Sequence, residues 1–340
     1  LLIDTATTHE AMPEAALPAT GQYPGGRERV QWHIKEGVRV FEKHFGFRPV
    51  GCWPSEGSLS EETLTLLSGS GFRWTASGEN VLRNSLHRSE VSTHGCIHRP
   101  FRLDKQPLTC FFRDDGLSDL IGFSYADWHA EDAVNNFIHH LENIAAACKH
   151  EPDRVVSIIM DGENAWEHYP ANGFHFLDCL YTRLANHPHI ELTTFSRYLE
   201  SQHQAQTLRH LVAGSWVYGT FSTWIGDKDK NRAWELLIEA KQAFDKVMAD
   251  GSLNDEQRAL AEHQLALCEG SDWFWWFGDY NPAESVQDFD QLFRHQLKAL
   301  YQTLNLSPPA SLEQEISRGG GAAEGGGVMR RGSEHVAHHG

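Results

Sequence analysis

Two carboxylic acids each follow an apolar segment that has the length of a β-strand. Glu56 comes shortly after residues 48–53, and Asp161 directly follows residues 154–160. Because ligands bind at the carboxyl ends of strands in parallel α/β folds, we expect both side chains to open onto one face. Cleavage of a glycosidic bond needs such a pair, one acid to protonate the leaving oxygen and one carboxylate to attack or stabilise the anomeric carbon. The spacing alone leaves open a second interpretation, in which each acid only caps a helix or is solvated.

Aromatic residues accompany polar ones near these acids and in two later segments. Of the 11 tryptophans, Trp53 and Trp166 lie within a few residues of the acids, and Trp216 lies between a serine and a valine in a glycine-flanked segment. Asp272 and Trp273 begin the densest aromatic cluster of the chain. Sugar rings stack their C–H faces on aromatic planes, while their hydroxyl groups need charged or amide partners. The pattern therefore favours a saccharide ligand, with the remaining tryptophans in the core.

The periodicity of the apolar residues predicts alternating strands and helices over the first part of the chain. Strands are predicted over residues 48–53, 72–76, 108–112, 120–123, 154–160 and 190–194. Helices are predicted from Val30 to Phe45, from a capping box at Ser58 to about Leu67, and over residues 131–148, 174–186, 231–249 and 283–304. A strand, a helix and a second strand in succession imply parallel pairing with a right-handed crossover.

These elements predict two domains and a tail. Residues 1–200 form an α/β domain with about six parallel strands, interpreted as a partial (β/α) barrel because a closed eight-stranded barrel normally needs ~250 residues. Residues 201–316 form an α-helical domain, in which the apolar stripes are core faces. Residues 317–340 are rich in glycine and predict a flexible tail.

Composition excludes several classes of function. The 29 Lys and Arg against 46 Asp and Glu give a net charge of −17, which repels nucleic acid and anionic lipid. No segment approaches the ~18 apolar residues of a membrane span. The six cysteines are scattered through a long chain with no CxxC pair, so we expect them to be reduced and buried rather than to form a disulfide framework. Since no export signal is visible, we expect the protein to be cytoplasmic.

Two metal-dependent alternatives are considered. His94, Cys96 and His98 alternate along the chain and would share one face of a strand, which suits zinc. No fourth ligand is evident, and Gly95 and Pro100 indicate a loop. A polysaccharide deacetylase would need an Asp and a His-x-x-x-His pair, and none is well placed. We therefore predict no metal and no cofactor.

Five segments of the sequence, taken in order, resemble glycoside hydrolase family 57, in particular its α-amylase-like branch. Two of them contain the acids described above, and one contains the densest aromatic cluster. The segments are residues 51–56, 111–123, 160–166, 214–226 and 271–278, and the resemblance extends from about residue 1 to about residue 309.

The resemblance implies an incomplete seven-stranded (β/α) barrel followed by a helical domain that completes the active site. It implies that Glu56 is the nucleophile and Asp161 the general acid/base of a retaining, metal-independent enzyme acting on α-glucans. The candidate substrate contacts are Trp53, Arg113, Trp166, Trp216, Asp272 and Trp273. α-Amylase-like hydrolysis and transglycosylation, as in branching enzymes or 4-α-glucanotransferases, share these acids and both stay open, as does a non-catalytic glucan-binding remnant.

The start of the chain departs from the family pattern. The first two family regions, including a His-containing motif on the first barrel strand, are expected to lie before Leu1. We therefore interpret the chain as a fragment, and predict that it folds poorly alone or is inactive although its parent would be active.

Overall fold

A computed structural model of the chain describes residues 1–90, 97–162, 164–201 and 203–321. Within these residues the strands are β1 (Gly51–Cys52), β2 (Trp74–Ser77), β3 (Phe101–Leu103), β4 (Thr109–Phe112) and β5 (Gln206–Leu208). The α-helices are α1 (Gly26–Phe45), α2 (Glu61–Gly69), α3 (Glu79–Arg88), α4 (Asp115–Phe123), α5 (Ala130–Ala147), α6 (Phe174–Ala185), α7 (Phe195–Glu200), α8 (Lys228–Asp250), α9 (Asp255–Cys268), α10 (Asp272–Trp276) and α11 (Ala283–Thr303). Short 3₁₀ helices cover Thr5–Glu10, Ser55–Gly57, Tyr125–Asp127, Pro170–Gly173 and Ala310–Glu313.

The strands form one mixed sheet in the order β1-β2-β4-β3-β5. Strands β1, β2 and β4 are parallel to one another, which confirms the α/β class and the parallel pairing of the first strand-helix-strand unit. The expectation of about six parallel strands is wrong, because β3 runs antiparallel to β4. The link between β3 and β4 is residues 104–108, which is too short for the crossover that parallel strands require.

Two predicted strands are absent from the described residues. Residues 120–123 belong to helix α4, because the Asp114 side chain caps the helix at the Leu117 amide, and Leu117 and Ile121 bury one face at helical spacing. Residues 190–194 form no strand and end at Thr194, whose hydroxyl accepts a hydrogen bond from the Arg197 amide and begins helix α7.

The predicted strand at residues 154–160 is reduced to a single parallel bridge between Ser157 and Arg113. The segment nevertheless alternates like a strand. Val155 and Ile159 pack against a cluster built on Ala76, Phe111 and Tyr198. The even-numbered residues Val156, Ile158 and Met160 pack against a second cluster, formed mainly by helices α4, α5 and α6. The segment is therefore held between two parts of the core.

The predicted helices are confirmed to within a few residues, with one shift at the start of α2. The cap of α2 is Ser60 rather than Ser58, and its hydroxyl accepts a hydrogen bond from the Thr63 amide. Leu59 cannot be helical there because its backbone is paired with Gly214 in an antiparallel bridge.

The described chain divides into two compact units. The first contains Leu1–Arg39 and the chain from Phe221 onward, and the second contains Val40–Thr220. The domain boundary near residue 200 stays a prediction. Ser317 is buried and accepts a hydrogen bond from the Gly278 amide, while residues 322–340 lie outside the described residues. None of the described helices combines the length and apolarity that crossing a membrane would demand.

The cysteines only partly follow expectation. Cys52, Cys110, Cys179 and Cys268 are free thiols, whereas Cys148 is disulfide-bonded. The expectation that all six are reduced is therefore wrong for Cys148.

A buried ionic network joins α1 to the end of α9 within the first unit. The Glu269 carboxylate accepts hydrogen bonds from the Arg29 guanidinium at 2.8–3.1 Å and from the Tyr23 hydroxyl at 2.5 Å, and it lies 2.7 Å from His33 Nε2. Glu269 and Arg29 are each 7% exposed. Burial raises the pKa of Glu269, but the hydrogen bonds from His33 and Arg29 outweigh it, so the pKa lies below its usual value of 4.5.

Replacing Glu269 by Gln is expected to lower the free energy of unfolding by about 3 kcal/mol, because the buried Arg29 guanidinium loses its charged partner. Since the folded-state pKa is lowered, this stabilisation is present above about pH 4.5 and is lost as the pH falls through the folded-state pKa. Urea unfolding of both proteins from pH 3 to pH 7 measures the difference. The control is Glu262→Gln on the same helix; an equal loss in both variants contradicts the prediction.

Candidate active site

Glu56 lies in a tight turn directly after strand β1. It is half-buried within the 3₁₀ helix Ser55–Gly57 and has left-handed backbone angles, φ 56° and ψ 28°. Gly57 is also left-handed, with φ +58°. A non-glycine residue held in this region costs of order 1–3 kcal/mol and persists only where its surroundings fix it.

The surroundings that fix the Glu56 turn come from residues about 160 positions later in the chain. The Trp216 amide donates to the Glu56 carbonyl at 3.1 Å, and the Trp216 indole N–H donates to Glu56 Oε2 at 3.0 Å. Leu59 lies three residues after Glu56, and Gly214 lies two residues before Trp216. These two residues exchange backbone hydrogen bonds of 2.9 and 3.1 Å. We refer to these four contacts as the Trp216 clasp. They hold both the backbone and the carboxylate of Glu56.

Aromatic side chains flank the same turn. A Cβ atom added to Gly57 would lie 2.7 Å from the ring of Trp53 and 3.2 Å from Cβ of Trp216, so only glycine fits between them. Trp216 is 9% exposed, whereas Trp53 is 37% exposed. Trp53 therefore presents an aromatic surface to solvent beside Glu56, whereas Trp216 is packed in the protein interior.

Arg113 directly follows strand β4 at the same edge of the sheet. Its Nε donates to the Ile159 carbonyl at 2.9 Å, and its two terminal nitrogens donate to Asp115 and Asp119 at 2.9 and 2.8 Å. The guanidinium carbon lies 5.1 Å from the ring centroid of Trp216, within the range of a cation–π interaction. Arg113 is 4% exposed.

Asp161 is placed by the segment that Arg113 holds. Besides the Arg113 bond to Ile159, the Asp114 amide donates to the Ser157 carbonyl at 2.8 Å and the Ser118 hydroxyl accepts from the Ile159 amide at 3.3 Å. Asp161 follows two residues later and is half-buried. The parallel direction of the Arg113–Ser157 bridge means that Glu56, Arg113 and Asp161 all lie beyond the carboxyl ends of parallel segments.

Two further acids, Asp115 and Asp119, pair with Arg113 and were not recognised in the sequence. Asp115 is 3% exposed, its Oδ1 accepts a hydrogen bond from Arg113, and its amide donates to Glu79. Within the part of the chain that the structure describes, its Oδ2 has no hydrogen-bond partner. Burial raises the pKa of Asp115 to about 7; the Arg113 guanidinium opposes this, and the charges of Glu79 and Asp119 add to it. The sequence feature that could have indicated these acids is the charged run Arg113-Asp114-Asp115. Such a run is equally typical of a solvent-exposed loop, so it does not predict a buried ion pair.

The remaining predicted contact residues are distributed differently. Trp166 packs against the cluster of helices α4, α5 and α6, 5.4 Å from Tyr169 between ring centroids. Asp272 and Trp273 belong to the other compact unit, where the Trp273 indole donates to the Leu267 carbonyl at 2.9 Å. Their roles as substrate contacts stay predictions.

The aromatic cluster that begins at Asp272 is supported by a buried lysine that the sequence analysis missed. Lys230 is 1% exposed, and its ammonium donates to the carbonyls of Phe274 and Phe277 and to the Tyr280 hydroxyl. These carbonyls lie at the end of the short helix α10, where they have no intrahelical partners. A lysine in a helix such as α8 is usually exposed to solvent, so the sequence does not predict that Lys230 is buried.

The residues of the zinc alternative are only partly described. His98 lies 2.8 Å from Asp114 Oδ2, and His94 and Cys96 fall outside the described residues. Over the parts of the chain that the structure describes, no group of three or more His, Cys, Asp and Glu side chains could hold a metal ion.

The fold has counterparts among solved structures. A GH57 branching enzyme from Thermococcus kodakaraensis aligns with 81% of this chain and 62% of its own length, at 15% identity and a TM-score of 0.62. The α-amylase AmyC from Thermotoga maritima aligns over 83% and 64%, at 17% identity and a TM-score of 0.62. The 4-α-glucanotransferase from Thermococcus litoralis aligns over 81% and 45%, at 15% identity and a TM-score of 0.55. The chain thus spans less than two thirds of each of these proteins.

The likeness shows the fold of the protein, an α/β fold that matches the incomplete barrel followed by helices expected from the sequence. Comparison with curated sequences gives no match. The sequence model described as glycosyl hydrolase family 57 matches residues 4–212, more than half of the chain. The chain belongs to glycosyl hydrolase family 57, and the resemblance stated from its motifs is confirmed.

Replacing Asp115 by Asn is expected to make the stability of the protein less dependent on pH. Because the folded-state pKa of Asp115 is raised from 3.8 to about 7, its favourable contribution is complete below about pH 4 and is lost as the pH rises through about 7. The variant should therefore gain stability relative to the wild type between pH 5 and pH 8, by a few kcal/mol at most at about 1.4 kcal/mol per unit.

Urea unfolding at pH 5 and pH 8 measures this change. The matched control is Asp127→Asn, which removes an exposed carboxylate from the same unit. If the difference between Asp115→Asn and wild type is the same at both pH values, the buried carboxyl does not titrate in this range.

Proposed function

We propose that this chain carries the catalytic pair of a retaining, α-amylase-like glycosidase acting on α-glucans such as starch, glycogen or maltodextrin. Glu56 is the nucleophile and Asp161 the general acid/base. The observation that carries the proposal is the Trp216 clasp, which holds the Glu56 carboxylate in a strained turn, with Arg113 linking Trp216 to the segment that ends at Asp161. Family membership and the known activities of the similar structures support the substrate class.

The chemistry proceeds by double displacement. Asp161, protonated at first, gives its proton to the glycosidic oxygen as Glu56 attacks the anomeric carbon, so that the carbon–oxygen bond to the leaving sugar breaks and a glycosyl ester forms. Asp161 then takes a proton from water, whose oxygen attacks the same carbon and releases Glu56. The Trp216 indole N–H stabilises the negative charge on Glu56 before the attack and after the release.

Trp53 is our first candidate for stacking on a sugar ring, because it flanks the Glu56 turn and is exposed. Trp166, Trp216, Asp272 and Trp273 are further candidate contacts. No metal or cofactor is required by this mechanism, and neither nucleic acid nor membrane is proposed as a partner of a chain with net charge −17. We also propose that the protein acts in the cytoplasm.

The alternative within the family is α-glucan transfer, in which an acceptor sugar replaces water in the second step. Branching enzymes and glucanotransferases are among the similar structures, so the same two acids serve either outcome. A glucan-binding remnant without turnover is the alternative of another class. Product analysis on amylose separates the first two, since transfer lengthens or branches chains whereas hydrolysis releases reducing ends.

In the full-length protein, Glu56→Gln and Asp161→Asn are each expected to lower turnover of maltooligosaccharides by at least about 1,000-fold, because one displacement step loses its nucleophile or its proton. On α-maltosyl fluoride, whose leaving group needs no proton, Asp161→Asn should keep far more activity than Glu56→Gln. Glu167→Gln, an exposed acid close to Asp161, is the control and should turn over like the wild type.

Glu56→Gly gives a further readout because glycine suits the left-handed turn and leaves room for a small anion. With azide and α-maltosyl fluoride it should form the β-glycosyl azide, by direct displacement from the face that Glu56 occupies. Wild-type turnover in Glu56→Gln or Asp161→Asn contradicts the assignment. A full-length wild-type protein that co-sediments with glycogen but does not turn it over favours the glucan-binding alternative.

A further inference from the structure

We propose that Arg113 is a positioning residue, which sets the Glu56 carboxylate relative to Asp161 through Trp216 and Ile159 and does not contact the sugar. The inference rests on the proposed function and refines it, since the sequence indicated Arg113 as a substrate contact. A residue that binds substrate must present polar atoms to it, and the surroundings of Arg113 satisfy those atoms within the protein.

The guanidinium group is enclosed on its edge and on its face. All three of its nitrogens donate to protein acceptors: Nε to Ile159, Nη1 to Asp115 and Nη2 to Asp119. Its central carbon lies 5.1 Å from the Trp216 ring, and the residue is 4% exposed. Three of its five N–H groups thus donate to acceptors in helix α4 and in the segment that leads to Asp161, and the indole of Trp216 covers its face.

The contacts of Arg113 lead to both proposed catalytic residues. Toward Glu56, the guanidinium packs on the indole whose N–H holds the carboxylate at 3.0 Å. Toward Asp161, it fixes the carbonyl of Ile159, two residues before the acid. A displacement of about 1 Å in a catalytic group can cost about 100-fold in rate, so this link bears directly on turnover.

The two carboxylates beside Arg113 fix its own position. Asp115 is 3% exposed and Asp119 is partly buried, and their ion pairs with Arg113 are 2.9 and 2.8 Å. Hydrogen bonds between charged groups are typically shorter and stronger than those between neutral groups. Lysine would keep the charge, but its compact ammonium cannot donate in a planar fork and stack on the indole at once.

Arg113→Lys is therefore expected to lower kcat for maltooligosaccharides by about 10- to 100-fold while KM changes by less than about 3-fold. A substrate-binding role would instead raise KM and leave kcat nearly unchanged. Trp216→Phe removes the indole N–H, and the double variant should be no more than about 3-fold slower than the slower single variant, because both act along one path. Multiplicative effects, or a change confined to KM, overturn the proposal.

A second readout does not need activity. In protein labelled with ¹⁵N-tryptophan, the indole signal of Trp216, assigned with Trp216→Phe, should shift in Arg113→Lys and exchange its proton faster with solvent. An unchanged Trp216 signal overturns the inference, whether or not the wild type turns over α-glucans. Loss of wild-type turnover with a shifted signal counts against the proposed function alone.

Two more variants test the proposal if Arg113→Lys misfolds and control for unspecific effects of replacing an arginine. Asp119→Ala removes one anchor of Arg113 and should lower kcat several-fold at unchanged KM, which tests the proposal even if Arg113→Lys does not fold. Arg154→Lys is the matched control, because Arg154 also donates to backbone carbonyls, those of Ala145 and Cys148, at the opposite end of the segment that leads to Asp161. Arg154→Lys should keep wild-type kcat; an equal loss in both arginine variants contradicts a specific role for Arg113.

Discussion

The hydrogen bond from the Trp216 indole to Glu56 is the interaction on which the proposed site depends. Glu56 follows a strand of only two residues, and its backbone is in a conformation that an isolated turn would not keep. The fold supplies what the local sequence lacks, by bringing residues 214–216 against the turn. The carboxylate and the main chain of Glu56 are thereby fixed by one neighbouring residue.

The polar groups described at this edge of the sheet are arranged around the Arg113 guanidinium. Arg113 bridges Trp216, Ile159 and two acids, and it is nearly excluded from water. Such buried charge is costly unless every partner is in place, so the arrangement favours specificity of geometry over stability. The compensation is incomplete, because one Asp115 oxygen has no hydrogen-bond partner among the described residues, and burial raises the pKa of this carboxyl.

Structural elements that depend on residues close together in the chain could be predicted from the sequence. The spacing of apolar residues located the main helices, and the position of Glu56 and Asp161 after strand-like segments made them the candidate catalytic acids. Residues 120–123 were misassigned because an apolar run of four fits either element, and the deciding factor was the cap at Asp114. The Trp216 clasp joins residues 160 positions apart, so no periodicity or spacing could predict it.

The same limit applies to the role of single residues. The family resemblance indicated Arg113 as a substrate contact, but its hydrogen bonds to Asp119 and Ile159 depend on the fold, which alone brings these residues together. Lys230 and Glu269 were missed for the same reason, since charged residues on helices are usually solvated and burial is decided by packing.

The left-handed backbone at Glu56 also restricts how this position can drift during evolution. Glycine and asparagine adopt positive φ at little cost, whereas the branched residues valine, isoleucine and threonine are strongly disfavoured there. A lineage released from selection for turnover would therefore gain stability by replacing the acid with glycine or asparagine. The identity of this one residue records whether chemistry or folding preference has governed the history of the turn.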